Sequence, residues 1–294
     1  MANRLPPLEE VLSTAKLVLL PSASVAIGVM MVAAIIAVIA ARFRPFDWRR
    51  GFRFASPIAL FAAIAAVNHF RDQPLPWWPD GKWWHEATFV FAAAFFIDLL
   101  SPLTDRIRIT PWLIGLVGGL AASIVISPNL RADMVAMLPL AGTAIAINGW
   151  LMHGLATRHE SSAIGFVLAA WSGAVSMVLL HAKSLGLADL ALGASFAAGI
   201  VTAIAIATKS TVRFWSIVMP LTGLLFMNRQ LVDSEVPRWL LVATGSIPLI
   251  VAVALVRPSS RAAGIAAGLV AIASIAVVVA AAAVAPMTFA PQEW

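Results

Sequence analysis

From Leu17 to Ala41 the chain runs 25 residues without one charged side chain. No other feature restricts its fold as severely. A bilayer core of about 30 Å is crossed by roughly 20 apolar residues in a helix. Backbone surrounded by hydrocarbon must satisfy its own N–H and C=O groups, and a helix does so within one segment. The run is too long for a signal-peptide core and follows Glu9 and Glu10 rather than a basic segment, so it reads as a retained span. Nine more windows meet or approach the same length, at approximately 54–70, 86–104, 110–128, 134–156, 162–181, 187–207, 214–230, 239–256 and 262–286. The expectation is an all-α fold: a polytopic transmembrane helix bundle of about ten spans.

Composition agrees. Hydrophobic residues make up 61% of the 294 and charged residues 12%, against about half and about a quarter in a soluble domain. Mean hydropathy is +0.92. The connections between windows are too short to fold as soluble domains. Residues 1–294 therefore read as a single integral membrane domain, whose first partner is the lipid bilayer. There is no cysteine, which excludes disulfides, thiolate metal sites and cysteine nucleophiles. The net charge of +6 comes from basic residues scattered through short loops. Topology explains that pattern, and no nucleic-acid partner is expected.

Lysine and arginine counts set the orientation. With the N-terminus outside, the inner loops carry twelve basic residues and the outer side eight. Five of the twelve crowd into RFRPFDWRRGFR at 42–53. Both termini are expected outside, in a bacterial cytoplasmic (inner) membrane.

The longest outer connection contains PLPWWPDGKWWHE at 74–86. Pro79-Asp80-Gly81 signals a turn, with Trp77 and Trp78 on one arm and Trp83 and Trp84 on the other. Tryptophan favours the headgroup layer because its ring is apolar and its N–H seeks water. The chain has no tyrosine to share that belt. The same four rings also suit a platform on which a sugar or a quinone-like ring would stack.

Ten spans divide into two inverted five-helix halves, 1–157 and 158–294, a plan common among transporters. Residues 111–132 (PWLIG…SPNLRA) and 237–262 (PRWLL…RPSSRA) share their opening and closing residues. Phe96-Ile97-Asp98 in the third window is echoed by Phe226-Met227-Asn228 in the eighth.

Few polar groups lie deep. Asp98 is read as the one charged residue well inside a window, and a carboxylate there costs about 2.5–3.5 kcal/mol near the helix centre. It suits a proton or cation site or an acceptor for substrate. It equally suits an interhelical bond to a group such as Asn148. Ser101 and Asp105 share its helical face, and Pro102 removes the helical donor to its carbonyl. Asn148, mid-span, suits interhelical bonding or a ligand, and His153 lies near the inner end of that span. His69, His85 and His181 fall at outer ends of spans, near Asp72 and Glu86. Such a set has the donors for zinc or copper, and a histidine pair those for haem, although no HExxH-type spacing supports either. No cofactor is required by the sequence.

Nucleotide loops of the GxxxxGK[ST] type and GxSxG elbows are absent. Gly115-x-x-x-Gly119 with Ser123, and Gly264-x-x-x-Gly268, are small-residue ridges expected to pack inside the bundle. Pro57, Pro139, Pro220 and Pro248 fall inside windows, where proline kinks a helix. Three functions fit. The first is a small-molecule permease of unknown substrate, with Asp98, Ser101 and Asn148 as its polar groups. The second is a non-catalytic membrane subunit or scaffold, as a homo-oligomer or with a membrane-complex partner. The third is a redox or metal protein using the outer histidines. An enzyme is the less favoured class.

Overall fold

The structure is a computed structural model that describes residues 6–43, 48–70, 83–104, 116, 119–120, 139, 142–148, 150–151, 162–210, 215–231, 236–251 and 260–287. Among them are eight α-helices and one 3-10 segment: α1 Leu8–Phe43, α2 Trp48–Phe70, α3 Trp83–Thr104, α4 Ser162–His181, α5 Leu185–Ala207, α6 Trp215–Leu231, α7 Arg238–Ser246, the 3-10 segment Ile247–Val251, and α8 Ser260–Val284. Residues 142–148 are also helical. The described regular structure is all helical, as the apolar windows require. Three helices, α1, α5 and α8, carry stretches long and apolar enough to cross a membrane by length and composition.

The helix surfaces identify the solvent. On α8 the buried line is Ala266, Val270, Ser274, Val277 and Ala281, spaced three or four residues apart, while Ile265, Leu269, Ile272, Ile275 and Val279 point outward. On α1, Ala26 and Met30 are buried and Met31, Ile35, Ile36 and Val38 are exposed. Outer faces made of large apolar residues would be an aggregation liability in water. Hydrocarbon is as apolar as leucine, so it tolerates that surface, and small residues let backbones approach closely. The coarse conclusion is a membrane-associated helical protein.

Helix α5 packs against α1, α2 and α4. Its inner faces are alanine-rich, with Ala188, Ala191, Ala194, Ala197, Ala198 and Ala205 all buried. The α4–α5 hairpin turns in three residues, closed by Lys183 N–H to Leu180 O at 2.9 Å and Ser184 N–H to Leu179 O at 2.9 Å. These bonds form a Schellman cap, normally built on glycine, yet Lys183 takes the left-handed position at φ 59°. Helix α5 ends the same way, with Lys209 at φ 52° and Ser210 N–H on Ala205 O at 2.9 Å. A left-handed residue with a side chain costs roughly 1–2 kcal/mol, partly offset by a cation at a helix C-terminus.

Pro248 interrupts the ninth window, as a proline there is expected to: within the described residues α7 gives way to the 3-10 segment, because Pro248 removes an N–H the helix needs. One sequence expectation is corrected. Gly264 and Gly268 do not pack within the bundle: a Cβ built on either meets nothing within 4 Å. Gly119 does pack as expected, against the Gly142 carbonyl. Gly115 and Ser123 lie outside the described residues.

Candidate functional site

The break in the ninth window organises the polar centre of the molecule. Pro248 has no N–H, so one backbone donor is missing at the turn that carries the carbonyls of Thr244, four residues back, and Gly245, three residues back. Three other groups reach them. The Ile247 N–H reaches Thr244 O through the tightened last turn. The Trp171 Nε1–H of α4 also donates to Thr244 O, at 2.8 Å. Asn148 Nδ2 donates to Gly245 O at 3.1 Å. Leaving such carbonyls unpaired in a buried setting costs about 1–3 kcal/mol each. Two side chains from other helices therefore hold the break open.

Proton accounting fixes the direction of the network. The Thr222 hydroxyl of α6 donates to Val218 O at 2.9 Å, so its oxygen accepts from Asn148 Nδ2 at 3.3 Å. Both amide hydrogens of Asn148 are then engaged. Asn148 is 3% exposed, and its Oδ1 is buried with no hydrogen-bond partner. Helix α6 also carries Pro220 within its length.

His181 sets the depth of this centre. Its Nδ1 lies 2.8 Å from Ala285 O. A carbonyl only accepts, so Nδ1 carries the proton and closes the C-terminal end of α8. Helices α4 and α8 pack side by side, and both end at this contact. Trp171 and Ser274 lie ten and eleven residues back, about 15–16 Å down each helix, and therefore at one level. Ser274 is buried and its Oγ has no partner.

Asp98 sits elsewhere. It is fully buried, and its Oδ2 accepts the Ser216 N–H at 2.8 Å. Ser216 is the second residue of α6, so the carboxylate caps an N-terminus supplied by a different helix. A charge-assisted bond of this kind is worth about 1.5–3 kcal/mol, and a carboxylate at a helix N-terminus about 0.3–2 kcal/mol more. Together they are as large as the insertion cost of the acid. The expected partner Asn148 is not the one found. Asp98 is level with Ser216, six residues and about 9 Å along α6 from Thr222.

Ser101 is in α3, with its side chain outside the described set. Trp83 and Trp84 open α3 and His85 follows, all three likewise without described side chains; Trp77, Trp78, Asp72, Asp105 and His153 lie outside the described residues. His69 is exposed near the end of α2. Among the described residues no three His, Asp or Glu side chains group closely enough to hold a metal ion. Asp189, 5% exposed in the first turns of α5, is a second buried acid, at the edge of its window. Trp171 had a signal: a tryptophan in the middle of an apolar run, away from any headgroup layer. Thr222, Thr244 and Gly245 had none beyond the neighbouring prolines. No protein-family model, curated protein or solved structure matches this chain.

Proposed function

We propose that the chain is a multi-pass membrane permease for a small polar solute, built from about ten spans, with the broken segment 238–251 at its centre. The carrying observation is that break and the side chains holding it, Asn148 and Trp171. Discontinuous helices near mid-bilayer form solute and ion sites in secondary transporters. Irregular backbone at that depth is tolerated where protein or a cavity surrounds it. The antiparallel pairing of α3 and α6, fastened by Asp98 and Ser216, supports inverted halves 1–157 and 158–294, in which the third and eighth spans are counterparts. Asp98, Ser101 and Asn148 remain the proposed polar groups, with Asp98 acting where α3 meets α6. The basic-residue count supports both termini outside an inner membrane.

Solute uptake by purified protein in proteoliposomes tests the reading. Uptake above protein-free vesicles, lost in Asp98→Asn, supports it. Asparagine still offers an oxygen to the Ser216 N–H, so this change separates charge from capping. Uptake indifferent to it removes Asp98 from the mechanism, and absence of any uptake across a broad solute panel removes the permease.

The second reading is a scaffold subunit bound to itself or to a membrane-complex partner. It is favoured by one observation: the polar hydrogens of Ser172, Ser176, Ser195, Trp171, Thr222 and Thr244 all go to backbone carbonyls. Co-purification with a fixed partner in mild detergent would favour it, and a monodisperse lone protein would count against it.

A further inference from the structure

The network around the break determines what kind of group it can receive. Thr222 gives its hydrogen to Val218, Asn148 gives both amide hydrogens to Thr222 and Gly245, and Trp171 gives its hydrogen to Thr244. Every donor in this set is committed. What remains is acceptor capacity: Asn148 Oδ1, buried and unpartnered, and the second lone pair of the Gly245 carbonyl, since Thr244 O already accepts from Ile247 and Trp171. These carbonyls lie at the C-terminal end of α7, where the helix dipole is negative. Among the residues whose burial is described, His69, His181, Lys183, Lys209 and Arg238 fall at helix ends and caps, and Lys16, in the third turn of α1, is exposed. None of the lysines and arginines among them is buried.

Resting on the permease reading, we propose that Asn148 Oδ1 and the carbonyl end of α7 receive an electropositive group. That group is either a monovalent cation or the N–H or O–H hydrogens of a small neutral solute. Both present the same chemistry to these acceptors. The unpartnered Ser274 hydroxyl lies at the same level and can accept as well as donate.

Thermal unfolding of the full-length protein in detergent tests the proposal. One arm compares sodium chloride and ammonium chloride with N-methylglucamine chloride at equal ionic strength. The other compares acetamide with N,N-dimethylacetamide, which differ in N–H donors. The expected result is a saturable rise in Tm of roughly 3 °C or more in at least one arm. The arm that responds identifies the source. Replacing chloride by gluconate should change nothing, and the response should disappear in Asn148→Leu. If that variant does not fold, Asn148→Asp keeps an oxygen in place of Oδ1 and should retain or strengthen the sodium or ammonium response, or retain the acetamide response. Equal Tm values throughout both arms overturn the proposal, as does a response that follows the anion, survives Asn148→Leu or is lost in Asn148→Asp. Uptake of the responding probe is then measured separately. Binding without uptake sinks the permease and leaves the site standing, whereas uptake of an anion without cation or N–H binding does the reverse.

Discussion

The α4–α5 hairpin and the α6–α7 region use polar side chains to opposite ends. In the hairpin both helices are continuous, and serine hydroxyls tie one to the other: Ser172 to Ala191 O at 2.9 Å, Ser176 to Ala188 O at 2.7 Å, and Ser195 to Ala169 O at 2.7 Å. Those carbonyls already serve their own helices, so the serines add bonds to a complete structure. In the α6–α7 region Pro248 has removed a donor; Asn148 serves Gly245 O, and Trp171 adds a second bond to Thr244 O beside that from Ile247. Removing a serine from the first region leaves the backbone satisfied; removing Asn148 from the second leaves Gly245 O short. The hairpin is thus the fixed half of the described molecule, and the break is where a second arrangement costs least.

The largest expected effect tests the closeness of the fixed region. A Cβ at Gly193 would lie 2.7 Å from Val67 Cγ2, so Gly193→Leu should destabilise by about 3 kcal/mol, read by denaturant unfolding in mixed micelles. Next is Asn148→Leu, which orphans Gly245 O and should cost about 2 kcal/mol in the same assay. Trp171→Phe keeps most of the ring and removes the N–H. Because Ile247 still reaches Thr244 O, its cost should be about 1 kcal/mol. Ser172→Ala, within the hairpin, should cost only about 0.6 kcal/mol; a cost above that of Asn148→Leu would reverse the contrast between the two regions. Smallest is Gly264→Leu, which faces open space and should change stability by less than about 0.5 kcal/mol.

The sequence showed the helices better than it showed what holds them. Apolar length placed 162–181 where α4 is found, and 187–207 and 214–230 within two residues of α5 and α6. It shortened α1 and α2, whose charged first turns, Glu9-Glu10 and Arg49-Arg50, fall outside an apolar window. Asp98 was visible as a buried acid, but its partner is a backbone N–H, which no residue letter encodes. Pro248 was visible as a kink. Its consequence depends on Trp171 and Asn148, which stand 77 and 100 residues before it, and only tertiary packing brings them to the freed carbonyls.

Amide hydrogen exchange of the protein in lipid nanodiscs tests the contrast most directly. If the break is held by a few side chains while the hairpin is continuous, the amides of 247 and 249–251 should exchange at least about tenfold faster than those of 191–202. Equal protection across the two segments would contradict the account, because the ninth span would then be as closed as the hairpin.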